Sequence, residues 1–292
     1  MKRFLWVCFF LSSCVVNIKK ERVETKEYFP LFFEHYQKTG VPFKGTVIFF
    51  NGSGNSLMEW TETKNKPFFD CAKDLGNLFM YDRNGVGKSP PDLSTSLSNP
   101  ITSKRVVSKL IRLLKKEKIK PPYILVGFSY GGLFAGHFAL THPELVQGVL
   151  LVDPSPPEFE YSDSLMEKYK EGHKAIEGLH SKEAYKTFAS NQKNPNGVLP
   201  AHLIYLVKGF KQTKKEINKL LPINQKIPVL VLSSTGMVKS PDVKGDWFKL
   251  QSKWLNKNKL SGITRVESGH GIHDYNKHPL LVCEQIKKLI SP

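Results

Sequence analysis

Short apolar runs recur along the chain at 46–50, 78–81, 123–126, 149–152, 229–232 and 263–266, each bounded by polar or turn-forming residues. Runs of four or five residues, rich in β-branched and aromatic side chains and mostly without polar alternation, suit strands buried on both faces. Between them the apolar residues change to helical spacing, at 66–75, 101–117, 130–141, 246–257 and 279–290. In the second of these, Val106, Val107, Leu110, Leu113 and Leu114 fall opposite a lysine-rich face, as a surface helix requires. The alternation predicts an α/β fold, a mostly parallel sheet flanked by helices. Residues 31–37 read as an extra strand at the sheet's edge. From 155 to 226 the rhythm stops. No strand pattern is present there, whereas SLMEKYKEGHKAIEGL and AHLIYLVKGF have helical patterns. The segment lies between two strands and so reads as a helical cap insertion over the sheet's ends. Its apolar residues, among them Leu165, Tyr169, Ile176, Leu206 and Phe210, either line an acyl pocket or pack the cap onto the core.

The first residues follow a different logic. Met1-Lys2-Arg3 is a positive segment, followed by the apolar run FLWVCFFL at 4–11. That run is far shorter than the roughly 20 residues of a spanning helix, so residues 1–13 read as an export signal. Leu11-Ser12-Ser13-Cys14 resembles the bacterial lipobox, which implies lipidation at Cys14 and a membrane-anchored lipoprotein in the cell envelope. An ordinary cleaved signal or an uncleaved anchor are the alternatives. Residues 14–30, mostly polar and charged, read as a tether, leaving 31–154 and 227–292 as the core and 155–226 as the cap. Cys71 and Cys283 each sit in a helical apolar pattern, which predicts buried free thiols.

Composition changes the picture little. At 40% hydrophobic and 24% charged, the 292 residues make an ordinary globular chain. The net charge of +17 comes mainly from lysine, with only six arginines, and the lysines are dispersed. Nucleic-acid readers cluster arginine for bidentate contacts, so no nucleic-acid partner is expected. A basic surface also suits an anionic envelope.

The chemistry centres on one turn. The strand YILVG leads into Gly127-Phe128-Ser129-Tyr130-Gly131 and then a helical run, which places G-x-S-x-G in a strand–turn–helix context. So tight a turn needs glycine-sized neighbours, and it presents the serine hydroxyl above a helix N-terminus whose dipole favours negative charge. A hydroxyl is a poor nucleophile unless a neutral imidazole takes its proton and a carboxylate orients that imidazole.

Here the chain resembles the α/β-hydrolase superfamily, in its lipase- and esterase-like branch with a helical cap. Three further segments carry the likeness. Phe50-Asn51-Gly52-Ser53-Gly54 stands where the family has its H-G-x-G oxyanion loop. The segment from Tyr81-Asp82-Arg83 to Gly87-Lys88-Ser89 looks like the family's Y-D-x-x-G-x-G-x-S turn, and Ser268-Gly269-His270 stands where the family keeps its histidine. The resemblance implies Ser129 as nucleophile, His270 as base with His273 as the alternative, and main-chain N–H groups of Ser53 and Tyr130 as the oxyanion hole. Two departures stand out. Asn51 replaces the usual histidine, and Met237 occupies the position where the family often has its acid. The acid is then Asp153, at the end of strand 149–152, or Asp242, in the loop after 229–232, or neither of them.

Other patterns point elsewhere with less support. A zinc site from His270, His273 and His278 lacks any HExxH or cysteine pattern. Gly87-Lys88-Ser89 ends like a Walker A loop, but Asp82 stands where that loop needs glycine. His137 and His142 read as structural. The expectation is a serine hydrolase without cofactor or metal, cleaving an acyl or lipid-like ester through a Ser-His-Asp triad. An aminopeptidase, amidase or acyltransferase on the same site is an alternative, and so is a catalytically idle, envelope-binding lipoprotein.

Overall fold

The structure is a computed structural model. It describes residues 16–22 (main chain alone), 31–62, 66–160, 167, 200–237, 245–272, 278 and 280–291. Eight strands form one sheet in the order β1-β2-β4-β3-β5-β6-β7-β8. They are β1 (Val16–Arg22), β2 (Phe32–Lys38), β3 (Thr46–Phe50), β4 (Asn77–Tyr81), β5 (Tyr123–Phe128), β6 (Val146–Val152), β7 (Val229–Ser234) and β8 (Gly262–Val266). From β4 to β8 all neighbours are parallel, while β2 runs antiparallel to both β4 and β1. The expected α/β architecture is therefore present.

Among the described residues, seven α-helices accompany it: α1 (Met58–Thr61), α2 (Lys66–Lys73), α3 (Ser103–Lys116), α4 (Gly131–Thr141), α5 (Pro200–Leu220), α6 (Trp247–Gln251) and α7 (Leu281–Ile290). Alternate residues of the central strands feed two cores. Ile48, Phe50 and Leu125 join the side chains of α3, α4 and α5, whereas Val47, Phe49, Ile124 and Val126 join those of α2 and α7. This double burial explains why the central strands are continuous apolar runs. Thr102 caps α3, its hydroxyl accepting from the Arg105 main-chain N–H.

Two expectations need correction, and a third is sharpened. Within the segment read as a tether, Val16–Arg22 pairs with β2 as the outermost strand, so the strand expected at the edge lies one place in. Edge pairing uses main-chain groups, and the polar sequence VNIKKER shows no burial signal for it. Within the segment read as cap, α5 packs Leu206, Phe210 and Ile217 into the core beside α3 and α4, and it leads into β7. Leu206 and Phe210 thus pack this part of the segment onto the core, one of the two roles expected of its apolar residues. Finally, Cys71 and Cys283 are not free thiols but form a disulfide joining α2 to α7 across a sequence separation of 212.

Candidate active site

The C-terminal end of β5 delivers Ser129 on a sharp turn. Its φ of 51° lies in the left-handed region that non-glycine residues rarely adopt. Three hydrogen bonds hold it there: Ser129 N–H to Val152 O, and the N–H groups of Gly132 and Ser155 to Ser129 O. A Cβ at Gly127 would lie 2.8 Å from Gly131 O and 2.9 Å from Ala135 Cβ, and one at Gly131 would strike Phe50 O. Both positions therefore require glycine. Strain of this kind is retained where the surroundings overdetermine it.

β5 and β6 are adjacent and in register up to Phe128 and Val152, so Asp153 emerges next to Ser129. Its φ of 42° is also left-handed. The His270 ring bridges the two, with Nε2 2.8 Å from Ser129 Oγ and Nδ1 2.6 Å from Asp153 Oδ2. Phe128 packs on that ring at 4.8 Å between centroids. The loop carrying His270 is tied to the loop after β7, since Thr235 and Gly236 donate to the carbonyls of Val266 and Ser268.

Asp153 is fully buried and accepts four more donors. Ser234 contributes its N–H at 3.1 Å and its hydroxyl at 2.5 Å, Trp247 its Nε1–H at 2.8 Å and Gln251 its Nε2–H at 3.0 Å. None of these partners was foreseen from the sequence. The i, i+4 spacing of Trp247 and Gln251 on α6 puts them on one face, which was the available signal.

The segment 51–54 after β3 is clamped from two sides. Arg83, fully buried, donates to the carbonyls of Asn51 (2.8 Å), Gly52 (2.6 Å) and Ser53 (3.1 Å), with its guanidinium 5.1 Å from the Phe134 ring centroid. Glu59, at the start of α1, accepts the Gly52 N–H at 2.9 Å and also bonds Asn55. In a trans peptide N–H and C=O point in opposite directions. With Gly52 O turned to Arg83, the Ser53 N–H therefore points away from the guanidinium. Tyr130 joins Ser129 to α4, placing its main-chain N–H at the positive end of that helix dipole. Asn51 is buried between Trp60 Nε1 and Tyr81 O, a structural role for the residue that replaces histidine. Arg83 and Glu59 are further residues that the reading missed, although a lone acid in the stretch SLMEW was a visible signal.

Burial pushes the Glu59 carboxyl up to about 7, against the opposing pull of its hydrogen bonds, Arg83 and His270. Burial likewise raises Asp82 to about 6, although it accepts the Leu57 and Lys88 N–H groups and so braces the turn after β4. His137 is buried against Ser103 Oγ at 2.9 Å and pushed down to about 4, a packing role. Met237 packs against the core. Asp242, His273, Asp274, Cys14 and the cap residues Leu165, Tyr169 and Ile176 lie outside the described residues. Among the described residues, no group of three or more His, Cys, Asp or Glu side chains is set to hold a metal ion.

The sequence profile of the alpha/beta hydrolase fold matches residues 45–226. The uncharacterized protein YqjL of Bacillus subtilis is 27% identical over 237 residues, which are 80% of this chain and 79% of that protein. Proline iminopeptidase of Arabidopsis thaliana is 26% identical over 117 residues, covering 40% of this chain and 28% of that one. A thermophilic esterase from Thermogutta terrifontis superposes with a TM-score of 0.65 at 15% identity, over 94% of this chain and 100% of the esterase, a likeness of fold.

Proposed function

Because the chain belongs to the alpha/beta hydrolase fold family, we propose that it is a serine hydrolase cleaving carboxylic esters through an acyl-enzyme. One observation carries this reading: Ser129 Oγ, the His270 ring and Asp153 stand in an unbroken hydrogen-bonded series. His270 Nε2 takes the Ser129 proton as Oγ attacks the ester carbonyl, and Asp153 holds the ring's orientation and stabilises the imidazolium. The oxygen that gains charge is received by the N–H groups of Ser53 and Tyr130. His270 then protonates the leaving alcohol, and water repeats the sequence to release the acid.

The substrate class is tested with nitrophenyl esters from acetate to palmitate and a fluorophosphonate probe. Ser129 is expected to take the probe, and Ser129→Ala to lose activity by several orders of magnitude while staying folded. A folded protein that neither labels nor turns over any ester fits the idle binder instead. The partial match to a proline iminopeptidase favours a second reading, aminopeptidase action on the same site. Cleavage of proline naphthylamide faster than of every ester would select it.

We also propose export and anchoring through a lipid on Cys14. The Cys71–Cys283 disulfide supports an oxidising compartment. Among the described residues, no helix is long and apolar enough to cross a membrane. Expressed at full length in a bacterium, the protein should partition into detergent, and Cys14→Ser should move it to the aqueous phase. Unchanged partitioning of that variant rejects the lipid.

A further inference from the structure

The two ends of the sheet carry different charge. Ser129 and Asp153 follow the C-terminal ends of β5 and β6, and His270 follows β8, so the triad occupies one end. The parallel strands are five to seven residues long, which puts the opposite end roughly 20 Å away. There the chain enters β3, β5, β7 and β8. The entering segments carry six exposed lysines: Lys44, Lys118, Lys120, Lys226, Lys257 and Lys259. They are dispersed in the sequence, but parallel strands all start from one side, so the topology gathers them. Hydrogen bonds stitch these segments together. The Thr46 hydroxyl donates to Lys120 O, and the Asn256 amide donates to the carbonyls of Ile223, Asn224 and Ile227.

α3, α5 and α7 also end here, and their last turns add two, one and two lysines. Attraction to the helix dipoles accounts for those lysines, but not for the six on the loops. The acids at this end, among the described residues, are Glu117, Glu144 and Asp74, the last paired with Lys38. At the catalytic end both signs occur, with Lys88 and Lys249 among Glu158, Asp246 and Glu267. The register of β1 adds an independent observation. Val16 pairs with Lys38, whose N–H donates to Asn77 Oδ1 at the start of β4, so β1 begins at the lysine end. Cys14 is two residues upstream, and two residues of chain reach at most about 7 Å.

We propose that this lysine face docks on a bilayer of anionic phospholipid and so turns the catalytic end toward water. The six loop cations are all lysine, point charges that suit a diffuse anionic layer, whereas nucleic-acid readers rely on arginine forks. A lipid on Cys14 enters the same layer, because the chain reaches the sheet from that side. The orientation rests in part on the lipid proposed above. The lysine face does not.

The test uses full-length Cys14→Ser protein, so that failure of the face is distinct from failure of the lipid. Its partition is measured on vesicles of phosphatidylglycerol with phosphatidylcholine and on phosphatidylcholine alone. The ratio of the two cancels insertion of the apolar run 4–11, which does not distinguish the lipids. In about 0.1 M NaCl the ratio should exceed about a hundred, and about 1 M NaCl should abolish the preference. Lys120→Glu/Lys226→Glu/Lys257→Glu should lower the ratio about tenfold or more, each lysine at such a surface contributing about fivefold. Lys208→Glu/Lys211→Glu/Lys249→Glu makes the same change in net charge away from the face, and should lower it less than about threefold. On the anionic vesicles, amide exchange should slow at 117–121 and 256–260 and stay unchanged at 51–55 and 267–271. Equal partition onto both vesicles, equal loss in the two variants, or protection at 51–55 and 267–271 instead overturns the proposal. Tighter binding of a DNA duplex than of anionic vesicles at the same salt overturns it in favour of nucleic acid.

Discussion

Asp153 and Glu59 are buried carboxyls on opposite sides of the serine turn, and they are secured by different means. Asp153 ends a central strand and accepts five donors from His270, Ser234, Trp247 and Gln251, so its place is dictated by a packed framework. Glu59 lies in a short helix under the oxyanion loop, bonded to Gly52 and Asn55, and burial raises it to about 7. The Asp153 side is thus held by a packed framework, while the loop after β3 is braced by a group that gains and loses its proton near neutrality. Hydrogen bonds and desolvation compete at Glu59, and desolvation wins.

The comparison breaks most visibly at Asp153. Asp153→Asn should lower kcat on the order of 10⁴-fold, because the imidazole loses its orientation, while Asp242→Asn stays within about tenfold of the parent. Steady-state rates on a nitrophenyl ester decide this, and the reverse ranking moves the acid to Asp242.

A lesion that enters neither carboxyl's hydrogen bonds sets the scale for stability. Cys71→Ser opens a loop of 212 residues and should cost about 2–4 kcal/mol in denaturant unfolding with kcat unchanged. Loss of activity with intact stability would mean that the disulfide shapes the site.

The Glu59 side is broken by pH. Its folded pKa, about 7, lies above the ordinary 4.5, so the native state holds this proton more tightly than the unfolded chain. That contribution is complete below pH 4.5 and disappears as pH rises to about 7, a loss of roughly 3 kcal/mol from this group. Buried Asp82 adds a fall of the same sign between its ordinary 3.8 and about 6. Thermal midpoints across pH 4.5–8 should therefore decline more steeply in the parent than in Glu59→Gln. Equal slopes would show that Glu59 is not held protonated.

In activity above pH 7, where Glu59 is ionised, the same Glu59→Gln substitution should cost about tenfold in kcat, since glutamine keeps an acceptor for Gly52 but loses the charge facing Arg83. Smallest of all, Ser234→Ala removes one donor to Asp153, the hydroxyl, while its main-chain N–H and the other partners remain, and should cost only a few-fold in kcat. A loss as large as that of Asp153→Asn would mean that the framework around the acid is less redundant than its hydrogen bonds indicate.

What the sequence by itself determined is what short-range sterics and burial write locally. The central strands are legible as apolar runs because both sheet faces are covered, and Ser129 is legible because its turn excludes any Cβ at Gly127 and Gly131. The edge strand β1 is not, since main-chain pairing leaves no mark on a polar segment. Other assignments needed the tertiary structure because they join residues far apart in the chain. The helical pattern around Cys71 and Cys283 shows that each is buried, but only the packing of α2 on α7 brings their sulfurs together. Strand position left the acid open between Asp153, Asp242 and neither, and the adjacency of β5 and β6 set Asp153 against His270. The clamp of Arg83 and Glu59 on the loop after β3 likewise depends on which elements lie side by side. Periodicity along a chain records which face of an element is buried, not what that face meets.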